Sequence, residues 1–251
     1  MTRTTRQNES LGAMAEPYRA ALDALVSSRA VARLAARDPA LWKDDPAHAA
    51  IIRNRLGWLD LPAWVEARAA ELAAFSAEIR EAGFTRVLLL GMGGSSLAPE
   101  VIKRCMTPGP GAPTLDVLDS TDPASVRSAE AGARLDRTLF LVASKSGATL
   151  ETLSQYRYFR ARRLAEGSPQ AGGQFAAITD PGSSLEALAR AEKFRRVFLN
   201  PPDIGGRYSA LSYFGMVPAA LLNLDLDALA ARAKEARDEA LSPDPARNGA
   251  L

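Results

Sequence analysis

From Phe84 onward, short apolar runs alternate with helical patterns, and that alternation restricts the possible folds more than any other feature of the chain. The runs are Arg86–Leu90, Leu115–Asp119, Thr138–Val142, Phe175–Thr179 and Arg196–Leu199. They are apolar almost throughout instead of at every second position, as expected of strands covered on both faces of a parallel sheet. Helical patterns near 96–105, 123–132, 149–166 and 183–193 separate them. Five βα repeats in succession predict an α/β fold with an open, doubly wound, five-stranded parallel sheet.

The flanks have a different texture. Residues 1–82 form an N-terminal helical segment, with apolar residues at helical spacing in Leu22, Leu25 and Val26 and again in Ile51, Ile52 and Leu56. A single helix is expected to open after Leu61, with Pro62 in its first turn, and to end at Gly83 as a C-cap. The sheet domain is placed at 83–225, its last helix over about 210–222. A closing helix over about 225–240 and a Pro- and Asp-containing tail from Ser242 make up the third division, 226–251. That tail resembles the entry to another element, so a truncated linker to a further domain is expected there.

Composition excludes several classes. Hydrophobic residues make up 47% and charged residues 24%, which suits a soluble domain with a sizeable core. A net charge of +2 gives no reason to expect nucleic acid or an anionic membrane as partner. The cluster Arg157, Arg160, Arg162 and Arg163 reads as a solvated helix face. With one cysteine and one histidine the chain supports neither an intrachain disulfide nor the usual zinc site, so no metal is expected. Cys105 reads as a small core residue beside Val101 and Ile102, and His48 as an ordinary residue ahead of a helix. The polar first ten residues lack a secretory signal, and no apolar run approaches a membrane span of about 20 residues. The expected location is the cytoplasm.

Ligands of doubly wound sheets bind beyond the carboxyl ends of the strands. After the first run comes Gly91–Glu100 (GMGGSSLAPE), whose glycines let backbone approach an anion at a helix start and whose Ser95 and Ser96 add donors. It has neither the Lys-Ser/Thr of a P-loop nor the G-x-G-x-x-G spacing. After the third run comes Ser144–Thr152 (SKSGATLET), with four hydroxyls and a lysine where a strand hands over to a helix. A phosphomonoester dianion accepts several charge-assisted hydrogen bonds from such a turn. A lone N-cap would need only one of those hydroxyls. After the fifth run comes Asn200–Ser212 (NPPDIGGRYSALS), where Gly205 and Gly206 permit a backbone path that aims Arg207 inward. Its guanidinium fork suits a developing oxyanion.

Taken together and in order, these three loops resemble those of the phosphoglucose isomerase family, built on two sugar-isomerase (SIS) domains; the stretch Asp203–Ser209 (DIGGRYS) is the most specific. Ile52–Leu59 (IRNRLGWL) is similar to the segment that precedes the isomerase half of transaldolase–phosphoglucose isomerase fusions. The likeness runs over roughly residues 40 to 225. It implies that Gly94, Ser95, Ser144, Lys145, Ser146 and Thr149 surround a sugar phosphate. It further implies that Gly205 and Gly206 shape the substrate loop, and that Arg207 stabilises an enediolate as glucose 6-phosphate and fructose 6-phosphate interconvert. Glu151 would orient the histidine that opens the sugar ring. No metal or organic cofactor is implied, and family members commonly pair as homodimers. Gly147 and Ala148 depart from the pattern, standing where many members carry a bulkier and a hydroxyl residue. The family's proton-abstracting glutamate, ring-opening histidine and lysine have no counterpart here, so this polypeptide alone is expected not to turn over.

Two other readings compete. A non-catalytic SIS module that senses a phosphosugar would need the cradle but has less use for Arg207. A nucleotide-binding domain rests on Asp119 near the end of the second run, without the glycine fingerprint.

Overall fold

The computed structural model describes residues 10–168, 171–245 and 247–249, so the expected tail from Ser242 lies partly outside it. Strands β1 (Arg86–Gly91), β2 (Thr114–Leu118), β3 (Thr138–Ala143), β4 (Phe175–Thr179) and β5 (Arg196–Leu199) form one sheet, all pairs parallel, in the order β2-β1-β3-β4-β5. Between them run α6 (Leu97–Cys105), α7 (Pro123–Glu130), α8 (Leu150–Ala165) and α9 (Ser184–Ala191).

The order explains which helix covers which face. The chain moves one way from β1 to β2, then crosses back over β1 and continues through β3, β4 and β5. Right-handed crossovers place α6 on one face and α7, α8 and α9 on the other. Side chains divide accordingly. Leu88, Leu90, Phe140, Val142, Phe175 and Ala177 pack with Tyr156 and Phe159 of α8 and Leu185 and Ala189 of α9. Val87, Leu89, Leu139, Leu141, Ala176 and Ile178 pack on the opposite face.

One crossover cannot cover five strands. The rest of that second face is filled by α5 (Ala69–Glu81), which contributes Leu72, Phe75 and Ile79, and by α10 (Tyr213–Leu221), buried at every position. A helix apolar all round belongs in a core. A last helix, α11 (Leu226–Ala240), packs against α4 (Leu61–Glu66).

The N-terminal segment departs from its expected form. The single helix from Leu61 to Gly83 is two, α4 and α5, separated at Ala67 and Arg68. The break turns α4 toward α11 while α5 stays on the sheet, and the Arg68 guanidinium covers the break by lying 4.4 Å from the Trp64 ring centroid. Gly83 does terminate α5, at φ +78°: its N–H donates to Arg80 O and that of Phe84 to Ile79 O, the paired bonds of a Schellman turn. The apolar residues of α1 (Ala15–Ser27) do not make a core face, since none is buried and Leu25 and Val26 are exposed. Leu56 is buried, but beyond the end of α3 (Pro46–Arg53) instead of on a helical stripe.

Three smaller expectations are corrected. Cys105 is exposed, because α6 turns Pro99 and Ile102 inward and leaves Leu97, Val101 and Cys105 on its outer side. Arg163 is not solvated. It is buried, donates to Gln174 Oε1 at 2.6 Å and pairs with Glu166, closing the connection into β4. His48 lies within α3, hydrogen-bonded to the helix-capping Asp45 and to Lys43.

The contrast between sheet and N-terminal helices is measurable. Ile178→Val, fully buried in β4, should cost about 0.5–1.5 kcal/mol in denaturant unfolding. Ile51→Val, exposed on α3, should stay within about 0.5 kcal/mol of wild type. Equal losses at both sites would contradict this placement of the core.

Candidate functional site

The strand order reverses between β1 and β3, the point at which doubly wound sheets open a crevice for ligands. Gly91 pairs with Ala143, so the loops leaving the two strands start side by side. Gly91 suits that approach: a Cβ there would be tightly placed, 3.2 Å from Ala143 O and 3.2 Å from Ser95 Cβ.

The helices that open on this crevice start without side-chain caps. Side chains cap α7, α9, α10 and α11, through Asp122, Ser183, Ser212 and Asp225. The N-cap residues of α6 and α8 are Ser96 and Thr149, good capping types, yet neither hydroxyl caps its helix. Ser96 Oγ donates to Gly93 O at 3.0 Å, and Thr149 Oγ1 is 2.9 Å from Ser144 Oγ. Both helices therefore present their first N–H groups without a side-chain cap, with the positive end of the helix dipole behind them. In the first turn of α8, Thr152 is fully buried and its hydroxyl has no partner among the described residues. A buried hydroxyl left unpaired requires an explanation.

The glycine departure noted above has a physical cause. Gly147 adopts φ +72°, and a Cβ there would lie 2.6 Å from Leu185 N, so the start of α9 leaves no room for a side chain. Its N–H donates to Ser144 Oγ at 3.2 Å. Ser146 is exposed and its Oγ accepts from Ala148 N at 3.3 Å.

Lys145 is placed differently from a free phosphate ligand. Its ammonium pairs with Asp180 and donates to Pro202 O at 3.1 Å, tying together the loops after β3, β4 and β5. Burial pushes the Asp180 carboxyl above the usual range, against the pull of Lys145 and Arg55. Its second oxygen, Oδ1, is buried without a partner among the described residues.

The third loop reaches the first across the top of the sheet. A Cβ on Gly94 would fall 2.5 Å from Gly206 O, and Ser209 Oγ donates to both Gly206 O (2.7 Å) and Gly94 O (3.3 Å). Gly205, Gly206 and Arg207 are thereby carried from the β5 side to the β1 loop. Arg207 is exposed, and among the described residues no carboxylate pairs with it. The structure thus brings Gly94, Ser95, Ser144, Thr149 and the Gly205–Arg207 turn to one end of the sheet. Glu151 lies in the first turn of α8, partly buried. No group of three His, Cys, Asp or Glu side chains converges as metal ligands would among the described residues.

A family model described as phosphoglucose isomerase matches residues 69–233. The chain belongs to the phosphoglucose isomerase family. It is 40% identical over 157 residues to a glucose-6-phosphate isomerase of Thermosynechococcus vestitus, covering 60% of this chain and 29% of that one. With a glucose-6-phosphate isomerase of Rubrobacter xylanophilus it shares 32% identity over 213 residues, 80% of this chain and 49% of the relative. Among solved structures, a hypothetical protein of Thermus thermophilus superposes with a TM-score of 0.71 at 29% identity, over 90% of this chain and 51% of that one. A glucose-6-phosphate isomerase of Chlamydia trachomatis gives 0.67 at 26%, over 76% and 40%. The chain thus spans less than half the length of these two curated isomerases.

Two features of this phosphoglucose isomerase family member escaped sequence reasoning. Thr152 is one of four hydroxyls in the Ser144–Thr152 loop, and only its unpaired burial singles it out. Asp180 sits at the carboxyl end of β4 in a Thr-Asp-Pro-Gly stretch that reads as a plain turn, although its position after a strand was a signal.

Proposed function

We propose that this chain supplies the phosphate-binding half of a glucose-6-phosphate isomerase, with residues 83–225 as the sugar-phosphate-binding unit. The observation that carries this reading is the pair of helices at the strand-order reversal whose Ser and Thr N-caps leave the helix starts open. In this reading the phosphate lies across the first turns of α6 and α8, hydrogen-bonded by Ser95, Ser144, Ser146 and Thr149. Gly94 lets backbone come close to it. Lys145, paired with Asp180, holds three loops together beside the phosphate. Arg207 then faces the sugar carbons, where removal of the C2 proton places negative charge on the C1 and C2 oxygens; a guanidinium stabilises that enediolate without itself gaining or losing a proton.

The base that takes the C2 proton and returns it to C1 is not among these residues, so the chain alone binds and does not turn over. Glu151 would orient the ring-opening histidine, which this chain does not supply. The same reading carries a cytoplasmic location and pairing into a homodimer. Among the described residues no helix is long and apolar enough to cross a membrane. A purely sensing module is less favoured, because the Gly-Gly-Arg turn is packed directly onto the phosphate loop.

Titration of the chain with a phosphorylated sugar acid, a mimic of the enediolate, tests the cradle. Ser144→Ala should weaken binding about tenfold, the scale of one hydrogen bond to a charged group. Wild-type affinity in that variant would remove the loop after β3 from the site.

A further inference from the structure

The loop that carries Arg207 is supported on its outer side by residues 55–58, which precede the family-matched segment 69–233. Leu56 and Ile204, both buried, form an isolated antiparallel bridge, and Gly57 N–H donates to Asp203 O at 3.1 Å. Gly57 allows this approach because a side chain there would run into the Asp203 carboxylate. Beyond it the Trp58 ring stacks on Tyr208, the residue after Arg207, with centroids 5.6 Å apart and planes 19° from parallel. The Arg55 side chain flanks Gly205, its Cδ 3.7 Å from where a Cβ on that glycine would stand. The turn is thus gripped between the β1 loop, at Gly94 and Ser209, and the N-terminal segment, at Leu56 to Trp58.

We propose that Trp58 is a positioning residue for Arg207, acting through its stack on Tyr208, and that the N-terminal segment is in this way part of the sugar-phosphate site. This rests on the reading above in which Arg207 faces the sugar. Two glycines, Gly205 and Gly206, leave the turn few contacts of its own, so its direction is set by what packs on it. Loss of the Trp58 ring frees the turn to swing and leaves the phosphate cradle on α6 and α8 untouched. A ligand that extends from phosphate to Arg207 then loses affinity, while one that fills only the cradle does not.

The test uses Trp58→Ala, with Trp58→Phe as the conservative variant and Tyr208→Leu removing the same stack from the exposed side. Amide hydrogen exchange and two binding titrations are measured, one with a phosphorylated sugar acid and one with inorganic phosphate. Trp58→Ala should speed exchange of the Tyr208 amide, which donates to Gly205 O, by tenfold or more while β1 and β3 amides keep wild-type rates. It should raise the Kd of the sugar acid about tenfold and leave that of phosphate unchanged; Tyr208→Leu should do the same and Trp58→Phe should restore both. Unchanged Tyr208 exchange, or equal weakening of both ligands, overturns the proposal. A wild-type chain that binds neither ligand removes the functional reading instead, and the exchange data then decide the grip by themselves.

Discussion

Arg207→Ala should, on the proposed function, lower kcat by about 10²–10³, the usual consequence of losing one oxyanion donor, in a polypeptide that joins this chain to a half that would carry the base. KM should change much less, because in the proposed reading phosphate is held by the loops after β1 and β3. Two observations support so large an effect from one side chain. The guanidinium has no carboxylate partner among the described residues, so its charge is not already neutralised within the fold. The turn that bears it is packed by backbone contact onto the Gly94 loop, which fixes where the side chain leaves the backbone. Arg207→Lys keeps the charge and loses the planar fork, so it should recover at most about tenfold of the loss. Steady-state kinetics of the three proteins in a coupled assay check this. A variant that raises KM and leaves kcat at the wild-type value would make Arg207 a binding group and remove it from the chemistry.

The sheet was legible because two periodicities agreed. Each strand is apolar on both faces, and the residues between strands repeat at helical spacing, so local and global choices pointed to one architecture. Even helix boundaries came within a few residues: the pattern expected over 149–166 is α8, Leu150–Ala165. What sequence could not convey was which apolar residues outside the sheet have something to pack on. Leu25 and Leu56 look alike as letters. The first lies on a helix with no buried residue, whereas the second pairs with Ile204 and is buried. Cys105 failed for a related reason, since a helix with apolar residues on two sides does not declare which side meets the sheet.

The candidate site divided along similar lines. Hydroxyl-rich turns after β1 and β3 were visible because residue type and position within a βα unit suffice to suggest an anion. The partners that connect the turns lie far apart in the chain. Lys145 with Asp180, Gly57 with Asp203 and Gly94 with Gly206 are separated by between 35 and 146 residues, and only the folded sheet brings them together. The same loops therefore had chemistry that could be read and a geometry that could not.

The contact between Gly94 and Gly206 gives the second large effect. A Cβ at position 94 would stand 2.5 Å from Gly206 O and 2.8 Å from its carbonyl carbon, both backbone atoms that no rotamer change can move aside. Gly94 does not have a positive φ, so alanine brings no conformational penalty of its own; the whole effect comes from that collision. Relief requires the two loops to separate by about 1 Å, and a displacement of that size at a reacting centre can lower the rate 10²-fold. Gly94→Ala should therefore reduce kcat of the joined polypeptide by about 10², with a phosphate Kd raised severalfold if Gly94 also lines the cradle as proposed. Gly132→Ala is the matching control. Its φ of +68° strains an alanine by about 1 kcal/mol, but nothing stands within 4 Å and the position is remote from the loops, so melting temperature should fall by a few degrees while turnover holds. If Gly94→Ala kept wild-type kcat, the two loops could part without disturbing Arg207, and the register of the site would have to come from the N-terminal grip alone.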